Sequence, residues 1–264
     1  MNKLDIMLKN VKGILSDIDG TLYFKGAPIP GAIETVSKLR RKGIKLLFFT
    51  NTDSKTPKSI YKNLLEYGFN IREDELFTPI IALKKFLSVH QQKTIFLVST
   101  KEIEDEFNEF NSVQGDETPD YVIIADFRDN WDVSRLNRAF KYILKGAKLF
   151  GTQGNTYFLD HKGEPVIDTG SFVKMLADAA NVPYKIFGKP SIEFFSQALN
   201  KLNLTSSDCI VVGDDLESDI QGANNVGIKS ILVRTGKGIH YEPSKEKTKP
   251  FLIIDSFKSL LDYL

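Results

Sequence analysis

The chain has 264 residues, 42% hydrophobic and 26% charged, an ordinary globular composition with length for one large domain or two medium ones. Lysine plus arginine number 35 against 34 acids, a formal net charge of +1, without the basic excess or stripe that marks nucleic-acid binding. A single cysteine, Cys209, excludes an internal disulfide, and no run of about 18 apolar residues is present to span a membrane. The opening MNKLDIMLKN has no cleavage-type pattern, so a soluble cytoplasmic protein is expected.

In chain order, residues 11–16 are a short apolar run that predicts a strand. Residues 30–41 place Ile33, Val36 and Leu39 on one helical face, stopped by Gly43. Residues 44–49 are a nearly continuous apolar strand. Thr56-Pro57 then supplies an N-cap and a proline at the first helical position, and Ile60, Tyr61, Leu64 and Leu65 form the next buried stripe, closed by Gly68. Strand and helix alternating in this way read as a parallel sheet covered on both faces.

The middle differs. Residues 94–98 and 121–125 predict strands, and Val133, Leu136, Phe140, Ile143 and Leu144 keep helical spacing. Residues 156–159 and 165–167, joined by a polar turn containing Gly163, read as a hairpin. Phe172, Val173, Leu176, Ala177 and Ala180 follow as a helix. The core rhythm is expected to resume with a strand at 184–187 and a helix through Phe194, Phe195, Ala198, Leu199 and Leu202. A strand at 209–212, a short helix at 215–225, strands at 230–233 and 251–254 and a last helix near Leu260 complete the set. Residues 236–250, polar and Lys-rich, read as a surface loop. The architecture expected is a parallel α/β core, residues 1–78 and 184–264, interrupted by an inserted α+β domain at 79–183.

Four predicted strand ends carry polar groups: Asp17-Ile18-Asp19-Gly20-Thr21, Thr50-Asn51, Lys189 and Gly213-Asp214-Asp215. Each alone suits a turn or a helix cap. Together they lie where ligands bind in open parallel sheets, outside the carboxyl ends of the strands. Asp17 is the candidate nucleophile toward phosphorus, and Asp19 can protonate a leaving oxygen and then activate water. Thr50 and Asn51 offer hydrogen bonds to phosphoryl oxygens, Lys189 a fixed cation, and Asp214 a hard oxygen ligand suited to magnesium. An anion approaching Asp17 at about 4 Å is repelled by about 4 kcal/mol at an effective dielectric near ~20, which a metal ion and Lys189 would offset. His90, His161 and His240 are scattered and give no transition-metal spacing. Glycine-rich dinucleotide binding is excluded, because Gly-x-Gly-x-x-Gly does not follow the first strand.

These segments, extended to Gly213-Asp214-Asp215-Leu216-Glu217-Ser218-Asp219, resemble the four motifs of the haloacid dehalogenase superfamily. Phe49-Thr50-Asn51, the run from Gly188-Lys189-Pro190 to Phe194-Phe195, and Val233-Arg234-Thr235-Gly236-Lys237 are similar to the capped, NagD-like branch (subfamily IIA), most of all to the phospholysine phosphohistidine inorganic pyrophosphate phosphatase group. The resemblance implies a Rossmann-like core, a mobile cap and a magnesium-dependent phosphatase acting on a small phosphorylated molecule. It implies that Asp17 and Asp214 bind the metal through carboxylates, Asp19 through its backbone carbonyl, and that Asp219 stands behind them and orients Lys189. Caps of this kind can pair into a homodimer. The mammalian relatives often have serine where this chain has Asp19; keeping the acid favours efficient acid–base work, and dehalogenases lack it, so dehalogenation is not expected. A phosphotransferase with the same intermediate, or a phosphate-responsive signalling module, stays open as an alternative. The cap surfaces expected to face the core are residues 151–155 and the turn Thr169-Gly170-Ser171, where helix amides could meet an anion.

Overall fold

The computed structural model describes residues 8, 10–115, 117–160 and 162–264; most of the N-terminal decapeptide and His161 lie outside the described residues. The chain begins with β1 (Gly13–Ser16), buried throughout. A tight hairpin of β2 (Tyr23–Phe24) and β3 (Ala27–Pro28) follows, turning at Lys25 and Gly26 with φ of 51° and 78°, the left-handed pair that a two-residue hairpin loop needs. Next come α1 (Ala32–Arg41), β4 (Lys45–Phe49) and α2 (Pro57–Glu66), the last capped by the Thr56 hydroxyl accepting from the Ser59 N–H, with Pro57 in its first turn. Then β5 (Leu76–Phe77) leads into α3 (Pro79–Ser88).

The inserted segment runs through β6 (Ile95–Val98), α4 (Lys101–Asp105), β7 (Tyr121–Ile124), α5 (Val133–Leu144) and β8 (Lys148–Gly151). It continues with the hairpin β9 (Tyr157–Leu159) and β10 (Pro165–Ile167), α6 (Thr169–Ala180) and β11 (Tyr184–Ile186). The chain returns as α7 (Ile192–Leu202), β12 (Cys209–Gly213), a π-turn at Leu216–Gln221, α8 (Gly222–Asn225), β13 (Lys229–Val233) and β14 (Leu252–Ile254).

Six strands form one parallel sheet in the order β14-β13-β12-β1-β4-β5. The pleat sends alternate residues to opposite faces. Ile14, Leu46, Phe48, Val212 and Ile231 pack with Val36, Leu39 and Leu64 on one side; Leu15, Leu47, Phe49 and Val211 pack with Phe194, Phe195 and Ala198 on the other. This is why the strands read as unbroken apolar runs.

The insert builds its own four-stranded sheet, β11-β8-β7-β6, parallel at every pairing. The antiparallel hairpin expected from sequence is present beside it. Helices α5 and α6 cover one face through Leu136, Ala139, Ile143, Phe172 and Val173. The other face receives Ile80, Leu83 and Leu87 of α3, while Ala82 of α3 packs on the core; α3 is thus the element shared by both sheets.

Several expectations are corrected. The strand placed in the core at residues 184–187 pairs instead with β8, so it closes the insert's sheet. In the expected stripes Leu65, Val133 and Leu144 are exposed; Ala139 and Tyr142 turn inward on α5. The segment at 215–225 is a π-turn followed by one turn of α-helix, and the last helix is 3-10. Residues 236–250 are more than a surface loop: a 3-10 turn at Gly236–His240 buries Gly236 and Gly238, and Tyr241 joins the core. Among the described residues no helix is long and apolar enough to cross a membrane.

Candidate active site

Three neighbouring strands, β12, β1 and β4, deliver Asp214, Asp17 and Thr50 to the same edge of the core sheet. Asp17 is buried, its N–H tied to the Val212 carbonyl at 2.8 Å. Its carboxylate accepts from the Thr21 hydroxyl at 3.0 Å and from the Lys189 ammonium at 2.6 Å. Burial pushes its pKa up to about 7, with the Lys189 charge opposing and Asp219 and Asp19 adding to the rise.

Lys189 arrives from the insert. It follows β11 on the return crossing, not a core strand as expected, because β11 belongs to the other sheet. Its Nζ lies between Asp17 and Asp219, 2.6 Å from each, and 4.6 Å above the Phe49 ring. Burial disfavours its charge, but the two carboxylates outweigh that and hold its pKa above the ordinary amine range. Asp219 comes from the π-turn, and its other oxygen accepts the Asp215 N–H at 3.1 Å. It is held against Gly213, where a Cβ would overlap its carboxylate.

Asp214 completes the cluster. One oxygen from each of Asp17, Asp214 and Asp219 lies within 4.8 Å of the others. Burial, then Asp17, Asp219 and Asp215, raise the Asp214 pKa well above the usual carboxylate range. Gly236, at φ 50°, closes on Asp214 so tightly that a Cβ would overlap the carboxylate. Next to it the Lys237 N–H donates to Asp214 Oδ2 at 2.7 Å, while Lys237 Nζ pairs with Asp215 at 2.5 Å. Three carboxylates face one ammonium, a deficit of positive charge in a hard-oxygen donor set that a divalent cation would balance.

Asp19 stands apart. It is exposed to the cleft, beside Tyr23, and Asp19 Oδ2 accepts from the Thr52 hydroxyl at 3.0 Å. The Thr50 hydroxyl is 2.9 Å from that of Thr52. Asn51, expected to reach phosphoryl oxygens, has its side-chain amide committed elsewhere. Its oxygen accepts the Lys189 N–H at 2.7 Å, and its Nδ2 donates to the Lys189 carbonyl at 2.9 Å and to Asn155 Oδ1 at 3.0 Å. The side chain is therefore a brace for Lys189 and the insert.

The cleft between sheet edge and insert has a volume of about 420 Å³. Asn155 reaches it from the first cap segment anticipated, whereas Thr169, Gly170 and Ser171 do not line it and the preceding Asp168 does, with Arg128 and Phe158 nearby. The Arg128 guanidinium lies 4.0 Å above the Phe158 ring and pairs with Asp126. The N-terminus of α6 offers no free anion site: Asp168 accepts from the Thr169 N–H at 2.9 Å, and the Gly170 N–H donates to the Asn155 carbonyl. Sequence reasoning missed Asp53, which is fully enclosed. Its Oδ2 accepts from the Thr152 hydroxyl at 2.5 Å and the Thr169 hydroxyl at 2.9 Å. Burial, then the neighbouring Asp168, raise its pKa to about 7. The only signal was the polar run Thr50-Asn51-Thr52-Asp53 continuing past the strand. Lys237 was also missed as a site residue, hidden in a Lys-rich stretch.

With this geometry in view, known proteins can be set beside it. A model of haloacid dehalogenase-like hydrolases matches residues 14–112, and a second, HAD-hydrolase-like model matches 186–260. The mouse haloacid dehalogenase-like hydrolase domain-containing protein 2 is 31% identical over 254 residues, covering 96% of each chain. The chain belongs to the haloacid dehalogenase-like hydrolases. A phospholysine phosphohistidine inorganic pyrophosphate phosphatase from Danio rerio is 34% identical over 245 residues, 90% of this chain and 87% of that one. Among solved structures, the p-nitrophenyl phosphatase of Archaeoglobus fulgidus superposes with a TM-score of 0.87 at 25% identity, over 96% of this chain and 99% of that one. NagD of E. coli shares the fold at a TM-score of 0.81 and 24% identity, over 94% and 97%. As members of this family fold, so does this one: the α/β class expected from sequence is the class found.

Proposed function

We propose that this hydrolase is a magnesium-dependent phosphatase of small phosphorylated metabolites that works through a phosphoryl group carried on Asp17. One observation carries the reading: Asp17 is held between Lys189 and Thr21, with Asp214 and Asp219 oxygens within 4.8 Å. The named activities of the Danio rerio and Archaeoglobus fulgidus relatives support it. Asp17, Asp214 and the backbone carbonyl of Asp19 are the residues that would hold magnesium, which when bound neutralises phosphoryl charge beside the nucleophile.

In the first step a carboxylate oxygen of Asp17 attacks phosphorus. The bond to the leaving oxygen breaks, and that oxygen takes its proton from Asp19. Asp19, now a carboxylate, receives a proton from the water that attacks the aspartyl-phosphate; the Asp17–phosphorus bond breaks and inorganic phosphate leaves. Lys189 stabilises the charge on the phosphoryl oxygens throughout, and the Thr50 hydroxyl, which faces Thr52 in this structure, turns to donate to one of them. The enclosing insert excludes bulk water and supplies contacts to the leaving group. Monoesters, pyrophosphate and phosphoamino acids all fit this chemistry.

A screen of phosphorylated metabolites for phosphate release, with and without magnesium, tests the proposal. Magnesium-dependent release by the native chain, abolished in Asp17→Asn, is expected. Near-normal hydrolysis by that variant would overturn the assignment of the nucleophile.

A further inference from the structure

We propose that Thr52 is the positioning residue for Asp19, and that the insert sets its placement through the residues on either side. The inference rests on the phosphatase reading, in which Asp19 is the acid and base. Three consecutive side chains divide the work. Asn51 clasps the Lys189 backbone and Asn155 of the insert. Asp53 accepts from Thr152 and Thr169, both in the insert. Thr52, between them, makes its contact with Asp19. The Thr52 N–H turns back on the Thr50 hydroxyl, so a loop pinned by the insert at residues 51 and 53 presents Thr52 to Asp19 of the core.

The hydrogen-bond directions tie Asp19 to the threonine pair. Thr52 has one hydroxyl proton, and it goes to Asp19 Oδ2. The Thr50 hydroxyl must then be the donor in its 2.9 Å contact with Thr52, while accepting the Thr52 N–H at 3.0 Å. Asp19 Oδ2 is thus held by Thr52, and the Tyr23 hydroxyl is a second side-chain partner of the same carboxyl group. Once the leaving oxygen has taken its proton, the same Thr52 bond steadies the carboxylate that will take a proton from water. Without Thr52 the exposed Asp19 side chain keeps only the Tyr23 contact of these two and samples other staggered rotamers more often, so fewer encounters find the acid in reach of the leaving oxygen.

The test compares Thr52→Val and Thr52→Ser with the native protein and with Asp19→Asn, in magnesium, on p-nitrophenyl phosphate and phenyl phosphate. The two esters have similar shapes, but the phenolate needs protonation far more than the nitrophenolate. Thr52→Val is expected to lower kcat on phenyl phosphate about tenfold, as loss of one hydrogen bond to a charged group warrants, with a smaller loss on p-nitrophenyl phosphate and little change in KM. Asp19→Asn should show the same ordering more strongly, and Thr52→Ser should restore the native ratio. Equal losses of Thr52→Val on both esters, or failure of serine to rescue, would overturn the positioning role. Absence of hydrolysis of either ester by the native protein would overturn the phosphatase reading itself, and with it this proposal.

Discussion

Replacing Asp53 with asparagine isolates the electrostatics of the seam between core and insert. Asp53 is 3% exposed, accepts two threonine hydroxyls and neighbours Asp168, with the Arg128 guanidinium an opposing charge. Its carboxyl sits at 3.8 in the unfolded chain and is pushed up to about 7 in the folded one by burial and by Asp168. Between those values the folded state binds more protons than the unfolded state. The stability this group contributes is therefore complete below about pH 4 and is lost as pH rises to about 7. Asparagine keeps an oxygen for both hydroxyls and never ionises. At about 1.4 kcal/mol for each pH unit, the variant should gain about 3 kcal/mol on the native protein between pH 5 and pH 8. For a chain of this length that is on the order of 5 °C in Tm. Thermal unfolding of both proteins across that range measures the difference, including the easier ionisation of the neighbouring Asp168 once residue 53 carries no charge. A Tm difference that does not change with pH, or one that shrinks as pH rises, would refute the reasoning.

Three further outcomes are expected. Magnesium at about a hundredfold excess over its dissociation constant should stabilise the native chain by about 2.7 kcal/mol, and Asp214→Asn should abolish that thermal shift. Gly236→Ala places a Cβ in the Asp214 carboxylate at a positive φ, so it should raise the magnesium needed for half-maximal activity by about tenfold, the equivalent of ~1.4 kcal/mol; an unchanged requirement would show that Asp214 adapts. Lys189→Met leaves Asp17 and Asp219 buried without their partner, which should cost about 3–5 kcal/mol in stability and about a hundredfold in kcat, read by denaturant unfolding and by phosphate release.

The core was legible because β1, β4 and β12 are buried on both faces and write themselves as apolar runs ending in polar residues. Asp17, Thr50 and Asp214 could be aligned from that pattern alone. Strand β11 could not be assigned to its sheet, since Tyr184-Lys185-Ile186 is a partly exposed edge whose partner, β8, begins at Lys148. The committed amide of Asn51 was equally invisible: its partners lie 104 and 138 residues further along the chain. Helix α5 shows the limit of periodicity, which found the helix but not that its first and last apolar residues overhang the sheet. Asp53 escaped notice because a carboxylate after a strand usually meets solvent, and only the insert's threonines make it an interior group.

Lys189 lies three residues beyond β11, on the strand of chain that carries the insert back to the core. The cation proposed to hold phosphoryl charge and the seam of the inserted domain are therefore the same stretch of backbone, braced by one asparagine. An insert of different sequence or size could replace residues 95–180 and change what enters the cleft, but any exchange that crosses Phe187–Pro190 would remove part of the proposed reaction centre. Diversification of substrate by swapping the insert is thereby confined to a cassette whose downstream border stops short of Lys189, and a chimera cut at Ile186 or earlier should retain the Asp17–Lys189 ion pair where one cut at Pro190 would not.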